Sequence, residues 1–480
     1  MPVFLITDLF VYALVLAGLV YGWRASHDEH LRAQWRLILR RPVAMVSAMV
    51  LGLFLLVALL DCVHYRPALP SEPGQPVTHA ADPVSLLDTW LEPLVQARER
   101  SYSEPLSAHG FRKQSLERDG QVVRDYPRLK FGGAHLKDPA AERSADIAGR
   151  SAWAMGKAVA LWALVMCAGC SLLAWRSGLR LPQALQRVLR GQTGWPLRSA
   201  SLTLLGMLLV VFWLVDLSAV YHVLGTDRTG NSVLMVALKS VRTALVIGSL
   251  TTLVVLPLAL LLGITAGYLR GWVDEVIQYI YTLLASIPDV LLIAASVLLL
   301  QVFIDKNQGY FETALERADI RLFFLCLILG VTSFTGLCRL VRGETLKLRE
   351  QEYIQSAMAF GVSTPRILRR HIMPNLMHLV LINTVMQFSN FVLAEAVLSY
   401  VGVGVDPKTF SFGVMINTAR MELAATPVVW WTLGTAFVFM LVLVLSANLL
   451  ADAVRDAFDP RMRLLQRHRR AATPVAEAQP

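Results

Sequence analysis

Charge is what this chain has least of. Asp, Glu, Lys and Arg make up 17% of its 480 residues against 55% hydrophobic ones, a balance that excludes an ordinary soluble domain and points to an integral membrane protein. It also lacks any Gly-x-x-x-x-Gly-Lys-Ser/Thr run, the phosphate cradle that nucleotide hydrolysis of the P-loop type requires, so any energy drawn from ATP has to come from another chain. Cysteine is scarce: Cys62, Cys167, Cys170, Cys326 and Cys338 all lie in or beside apolar runs, where the residue behaves as a small hydrophobe, and no disulfide framework is expected. Cys167 and Cys170 form a CxxC, but Ser171 follows where haem attachment needs His. His27 and His30 alone offer too few ligands for a metal and read as part of a solvated loop. No metal site is expected. No strict internal repeat is present, and the net charge of +10 reads as basic membrane-flanking loops, not as a nucleic-acid surface.

What is present is a series of long apolar runs. Nine segments are long enough to cross a bilayer, near residues 3–23, 43–63, 151–175, 200–221, 241–269, 276–304, 322–341, 378–402 and 428–450. The first is too long, and too poor in leading basic residues, for a cleavable signal peptide, and is expected to stay. Arginines fix an expected orientation. Arg24, Arg32, Arg36, Arg40 and Arg41 follow the first span, Arg176, Arg180, Arg187, Arg190 and Arg198 follow the third, and the end of the chain carries Arg455, Arg461, Arg463, Arg467, Arg469 and Arg470. One arrangement puts all of these in the cytoplasm: N-terminus outside, C-terminus inside. Residues 64–150 then form an outer insert with prolines at 67, 70, 73 and 76, balanced charge and no recognisable nucleophile and base. A small or partly ordered extracytoplasmic domain is expected there.

One polar stretch between apolar runs is organised. In Gln351 to Asn375, "QEYIQSAMAFGVSTPRILRRHIMPN", the residues up to Phe360 are good helix formers and Gly361 permits the left-handed turn that ends a helix. Thr364 is placed as an N-cap, Pro365 as the first helical residue and Pro374 as an interruption. Two short helices around a glycine turn are predicted, with Arg366, Arg369 and Arg370 facing outward. Read physically, such a segment either anchors to anionic lipid or offers a knob to a soluble partner.

Here the chain resembles the cytoplasmic "EAA" loop of ATP-binding-cassette importer permeases. The family pattern of Glu-Ala-Ala, three residues, Gly, nine residues, Ile-x-Leu-Pro aligns with Gln355-Ser356-Ala357, Gly361 and His371-Ile372-Met373-Pro374. Ala357, Gly361 and Pro374 match strictly. Three more stretches resemble the dipeptide, oligopeptide and nickel subfamily: "HVLGTDRTGNSVL" from His222, "LAEAVLSYVGVGVDPKTFSFGVMI" from Leu393 and "NLLADAVRDAFDPRMR" from Asn448. Asn231-Ser232 replaces that subfamily's Arg-Asp and Phe412 its Trp, both in predicted outer loops.

The resemblance implies an all-α polytopic fold of about nine helices: a type I importer permease core over 200–463 with coupling loop 342–377, N-terminal helices over 1–63, the insert 64–150, a further helix and basic loop over 151–199, and a flexible cytoplasmic tail over 464–480. The family's first helix is either 43–63, with 151–221 adding a helix pair, or 200–221. The implied protein is a non-catalytic inner-membrane subunit that imports peptides or similar small solutes by alternating access. Its implied partners are two ATPase subunits that use ATP and Mg, a homologous second permease and, in many relatives, an extracytoplasmic solute-binding protein; the chain itself holds no cofactor. Gln355, Ser356, Ala357, Gly361, Arg366, His371 and Pro374 are the coupling residues. Pro288, near the middle of 276–304, should break the helical ladder there; Asp289 after it and Glu395 are acids inside spans, assigned to helix capping or packing as readily as to a translocation path; Asp8 and Asp216 read as interfacial or interhelical pairs. The same scaffold could serve an exporter or an antimicrobial-peptide transporter. A secondary transporter or channel is a rival, as is a membrane enzyme using the insert.

Overall fold

A computed structural model describes residues 1–458 apart from 69–78, 81, 119–120, 179, 308 and 310–312. The tail arginines from Arg461 onward, the tail 464–480, and Pro70, Pro73 and Pro76 of the insert lie outside the described residues. The chain opens with strand β1 (Pro2–Val3) and helices α1 (Ile6–His27), α2 (Glu29–Leu39) and α3 (Pro42–Asp61). The insert follows, with β2 (His64–Tyr65), β3 (Val84–Ser85), α4 (Leu86–Trp90), α5 (Glu92–Gln96) and a hairpin of β4 (Gln114–Arg118) and β5 (Gln121–Asp125). Next come α6 (Pro139–Ser177), α7 (Leu181–Leu189) and α8 (Leu197–Ser218), then α9 (Val233–Leu269), α10 (Trp272–Ser286), α11 (Asp289–Lys306) and α12 (Ala314–Arg349). Last are α13 (Glu352–Ala359), α14 (Thr364–Ile367), α15 (Met373–Val401), α16 (Phe412–Leu423) and α17 (Trp431–Phe458). The three small strands pair antiparallel in the order β1-β2-β3.

Among the described residues eight helices are long and apolar enough to cross a membrane, or up to nine if the bent pair α10 and α11 counts as one span. The expected break of the helical ladder at Pro288 within 276–304 is present, and the chain turns by 88° between the two helices. Pro288 has no N–H to give the ladder, and Ile287 before it is extended, the conformation that a following proline favours. Several helices outrun their apolar windows. Helix α6 begins at Pro139, twelve residues before the expected span, because Asp138 caps it with a hydrogen bond from Ala140 N of 3.0 Å. The segment carrying His27 and His30 is not a loop; those residues fall in α1 and α2, and α2 is an amphipathic surface helix with its arginines along one side. Phe412, expected in an outer loop, is the buried first residue of α16.

The core is the pair α9 and α12, flanked by α15, α3 and α17. Gly263 and Gly267, one turn apart on α9, lie so close to α12 that a Cβ would stand 2.8 Å from Cys338 O and 2.7 Å from Arg342 O, which is how small residues let two membrane helices approach. Helix α3 packs against both α17 and α9, whereas α8 packs against α6 and α3. Thus α6 and α8 form a hairpin on the outside of α3. Among its polar ties is Lys157 Nζ to Asp216 Oδ1 at 2.6 Å, so Asp216 is one half of an interhelical pair.

Candidate functional site

At one end of the bundle, where the end of α9 pairs through Arg270 with Glu350 at the end of α12, α12 and α15 carry a knob between them. Helix α13 follows α12 after Gln351, and Gly361 turns the chain at φ +71°. The next helical turn starts at Thr364 with Ser363 as its N-cap, one residue earlier than expected, so Pro365 occupies the second helical position, where its missing N–H still costs nothing. Pro374, expected as an interruption, does not stop the helix. A π turn over Leu368–Ile372 leads without a break into α15. Its wider winding just before the proline relieves the clash that the ring would make with the carbonyl four residues back. The predicted second short helix is therefore the start of a continuous rod.

The knob is seated by apolar contact. Ile354, Ile367 and Ile372 are each 0% exposed and join the main core. Polar ties are few and local: Asn375 Nδ2 donates to Tyr353 OH at 3.0 Å, Gln355 Nε2 to the Arg349 carbonyl at 3.4 Å, and Arg270 pairs with Glu350. Gln355, Ser356, Arg366 and Pro374 face solvent, with Ala357 and His371 half-buried behind them. These residues share one projection. Phe360 was missed in the sequence, yet it is 87% exposed at the tip beside Gly361; its signal was a large aromatic directly before the helix-ending glycine, where no core position remains.

The two intramembrane acids lie elsewhere and apart. Asp289 opens α11 with an exposed side chain next to the bend. Glu395 is buried, and its Oε1 accepts from Ser399 Oγ at 2.7 Å and Ser411 Oγ at 3.0 Å, which ties α15 to the start of α16. Asp8 belongs to a third polar centre at the other end of the bundle. Arg242 on α9 donates from Nε to Asp8 Oδ1 at 3.0 Å and from Nη2 to Thr7 Oγ1 at 3.1 Å. Thr7 in turn donates its N–H to Asp319 Oδ2 on α12 at 3.1 Å, and His64 Nδ1 sits 2.8 Å from Asp8 Oδ2. All five side chains are buried. This network bolts α1 to α9 and α12, a role that no sequence spacing could reveal because its bonded partners lie from 56 to 312 residues apart.

Around that end the insert wraps the segment from His222 to Asn231. Glu99 accepts backbone hydrogen bonds from Lys130, Phe131 and Gly132 at 3.0, 2.8 and 3.2 Å, and its own N–H donates to Gly230 O at 3.0 Å. Burial alone would raise the Glu99 carboxyl, but the neighbouring His222 imidazole and those three N–H groups outweigh it and hold the pKa down at about 2. Thr226 N donates to Ser103 O at 3.1 Å, and Trp431 Nε1 to Thr226 O at 3.0 Å. Asp227 closes the turn by accepting from Thr229 N and Asn231 N at 2.8 and 2.9 Å.

Eight or nine helices of membrane-spanning length among the described residues, with a solvent-facing helical knob between two of them, describe a polytopic membrane protein. The family of binding-protein-dependent transport system inner membrane components matches residues 259–464. The oligopeptide transport system permease protein OppC of Mycobacterium tuberculosis (strain CDC 1551 / Oshkosh) is 32% identical over 246 residues, covering 51% of this chain and 78% of that protein. The glutathione transport system permease protein GsiD of Pectobacterium atrosepticum is 31% identical over 242 residues, covering 50% and 73%. The dipeptide transport system permease protein DppC of Bacillus subtilis is 28% identical over 242 residues, covering 50% and 69%. A solved structure of the MetNI methionine ABC transporter in inward-facing conformations aligns over 47% of this chain and 96% of that chain at 17% identity with a TM-score of 0.36. The chain belongs to the binding-protein-dependent inner membrane component family. It is a multi-pass inner-membrane permease subunit of an ABC importer and performs no catalysis; membership implies ATPase, second-permease and binding-protein partners.

Proposed function

We propose that this permease carries peptides or similar small solutes across the inner membrane by alternating access, and that the knob from Gln355 to Pro374 is where an ATPase subunit seats. The observation that supports this reading is the projection itself: α14 runs without a break into α15 and α13 follows α12 after a two-residue turn, so force applied to Phe360, Gln355 and Arg366 is delivered to two core helices at once. Two ATPase subunits would hydrolyse ATP with Mg and move the knob as a rigid body. The peptide class follows from the relatives' names. Asp289, beside the bend of α10 and α11, is the acid better placed to meet solute; Glu395, already satisfied, serves packing.

The arginine-rich end is the cytoplasmic end in this reading, with the N-terminus outside. Arg41 reaches Asp456 at 2.5 Å, bringing the first basic segment beside the end of α17, and the knob lies at that same end. Helix α3 serves as the family's first helix, because it packs on α9 and α17, and α6 with α8 is the added pair. The decisive test assembles the transporter with its ATPases and compares wild type with Phe360→Ala. Transport should fall about tenfold or more, as for loss of an aromatic anchor, while basal ATPase activity and membrane insertion persist; unchanged transport overturns the assignment of the knob.

A further inference from the structure

The connection between α6 and α8, in the part of the chain before the family match at 259–464, holds the short helix α7. Gly178, at φ +64°, ends α6, and the chain doubles back, so that Ala184 and Val188 of α7 are buried against Cys170 and Ala174 of α6, with Met166 and Leu173 beside them. Those α6 residues belong to the apolar run 151–175. Helix α7 thus lies beside the last turns of a membrane-spanning helix and not out in water. Its surface is divided in two. Leu181, Leu185 and Leu189 recur every four residues next to the buried pair and are 44%, 38% and 52% exposed, whereas Arg180, Arg187 and Arg190 take the other side. Trp175 before the helix and Trp195 after it are exposed as well. From Ile147 to Val215 the sequence has no Asp or Glu, and no carboxylate pairs with Arg176, Arg180, Arg187, Arg190 or Arg198 among the described residues.

Three open leucines level with the end of a span meet acyl chains, because a soluble protein cannot reach that depth. Guanidinium groups on the same short helix then stand where the hydrocarbon gives way to phosphate, the layer in which tryptophan also settles. A zwitterionic headgroup carries its own cation beside the phosphate, but an anionic one does not. A cluster of arginines without an acid therefore favours the anionic lipid. We propose that the segment from Trp175 to Arg198 is an in-plane foot that binds anionic phospholipid, with Leu181, Leu185 and Leu189 among the acyl chains and Arg180, Arg187 and Arg190 on the headgroup phosphates. The foot tethers the added α6 and α8 hairpin to the bilayer surface. Neither the solute nor the coupling role of the knob enters this inference.

The test follows hydrogen exchange of the full chain in lipid nanodiscs, read at peptides covering residues 181–190. In discs that mix phosphatidylglycerol with phosphatidylcholine, the α7 amides should exchange about tenfold or more slowly than in phosphatidylcholine alone, since each arginine near an anionic surface is worth roughly fivefold. Added salt should narrow that difference. Arg180→Gln, Arg187→Gln and Arg190→Gln together should abolish it, and the three Lys substitutions at the same positions should restore it, because lysine keeps the charge. Leu181→Ser with Leu185→Ser should leave α7 fast in either lipid. The amides of α6 and α8 should stay slow in every variant, which shows that the hairpin still folds. Equal exchange in the two lipids, or wild-type protection in the Gln variant, would overturn the foot. So would full protection in detergent without phospholipid, since contact with α6 alone would then hold α7. Inorganic phosphate added to phosphatidylcholine discs should protect nothing, and protection by it would overturn the lipid in favour of a free oxyanion.

Discussion

The two ends of the bundle are held by different forces. At the knob, three isoleucines with no exposed surface seat α13 and α14 against the core, and the polar ties are short-range and sparse. At the capped end, the insert is clamped by directional bonds: three backbone N–H groups on Glu99, the Thr226 exchange with Ser103, and the Arg242 bolt beneath. Apolar burial is non-directional and tolerates a loop that shifts together with the helices bearing it, whereas a hydrogen-bonded seat has one register. In the proposed reading the knob is thus a lever and the cap a fixture.

The largest effect expected from breaking this contrast is at Arg242. Replacing it with Ala removes the guanidinium that bonds Asp8 and stands 3.7 Å from Asp319, leaving Asp8 with His64 alone, at about 3 to 5 kcal/mol, and thermal unfolding of the purified protein should register the loss; a Tm equal to that of wild type would show that the bolt carries no load. A matched pair of glycine substitutions comes next. At Gly230, φ is +81° and a Cβ would stand 1.9 Å from Glu99 O, so Gly230→Val must push the insert off its seat. At Gly361, φ is +71° but nothing lies within 4 Å, so Gly361→Val meets only the left-handed backbone penalty of about 1 to 2 kcal/mol. Limited proteolysis should cleave the insert of the first variant and spare that of the second, while transport by the assembled complex should fail chiefly in the second. Equal protease sensitivity would mean that the ends are held alike.

Much of this plan is legible in sequence wherever its cause is local. Apolar length sets eight of the nine expected spans, and Gly361 with Pro365 marks the knob, because hydropathy and turn chemistry act within a few residues. Expectations failed where a neighbour decides. Pro374 reads as a stop, but the preceding π turn lets the rod continue. Helix α16 and the buried Phe412 escape a hydropathy window because they are short and fold back against α15. The Asp8 and Glu99 centres could not be read at all. Each acid's partners lie from 31 to more than 200 residues away, and no spacing rule spans that distance.

The smallest effect concerns acid, and it sharpens the contrast because only the cap should respond. Glu99 ordinarily titrates near 4.5 and in the folded chain near about 2. A carboxyl depressed by folding contributes its stabilisation fully above the unfolded value and loses it as pH falls through the folded one. The clamp should therefore be indifferent between about pH 8 and 5 and weaken between 4.5 and 2. Other carboxyls titrate in that window too, so the comparison has to be with Glu99→Gln, in which the accepting oxygen remains and the charge does not. Hydrogen exchange at the Lys130, Phe131 and Gly132 amides should rise on acidification in wild type, after correction for intrinsic rates, and should already be raised and flat in the variant. The amides of α13, seated by isoleucines, should show no corresponding step. If both ends loosened together, a general acid expansion of the bundle would explain the cap as well, and the Glu99 carboxylate would not be what holds it.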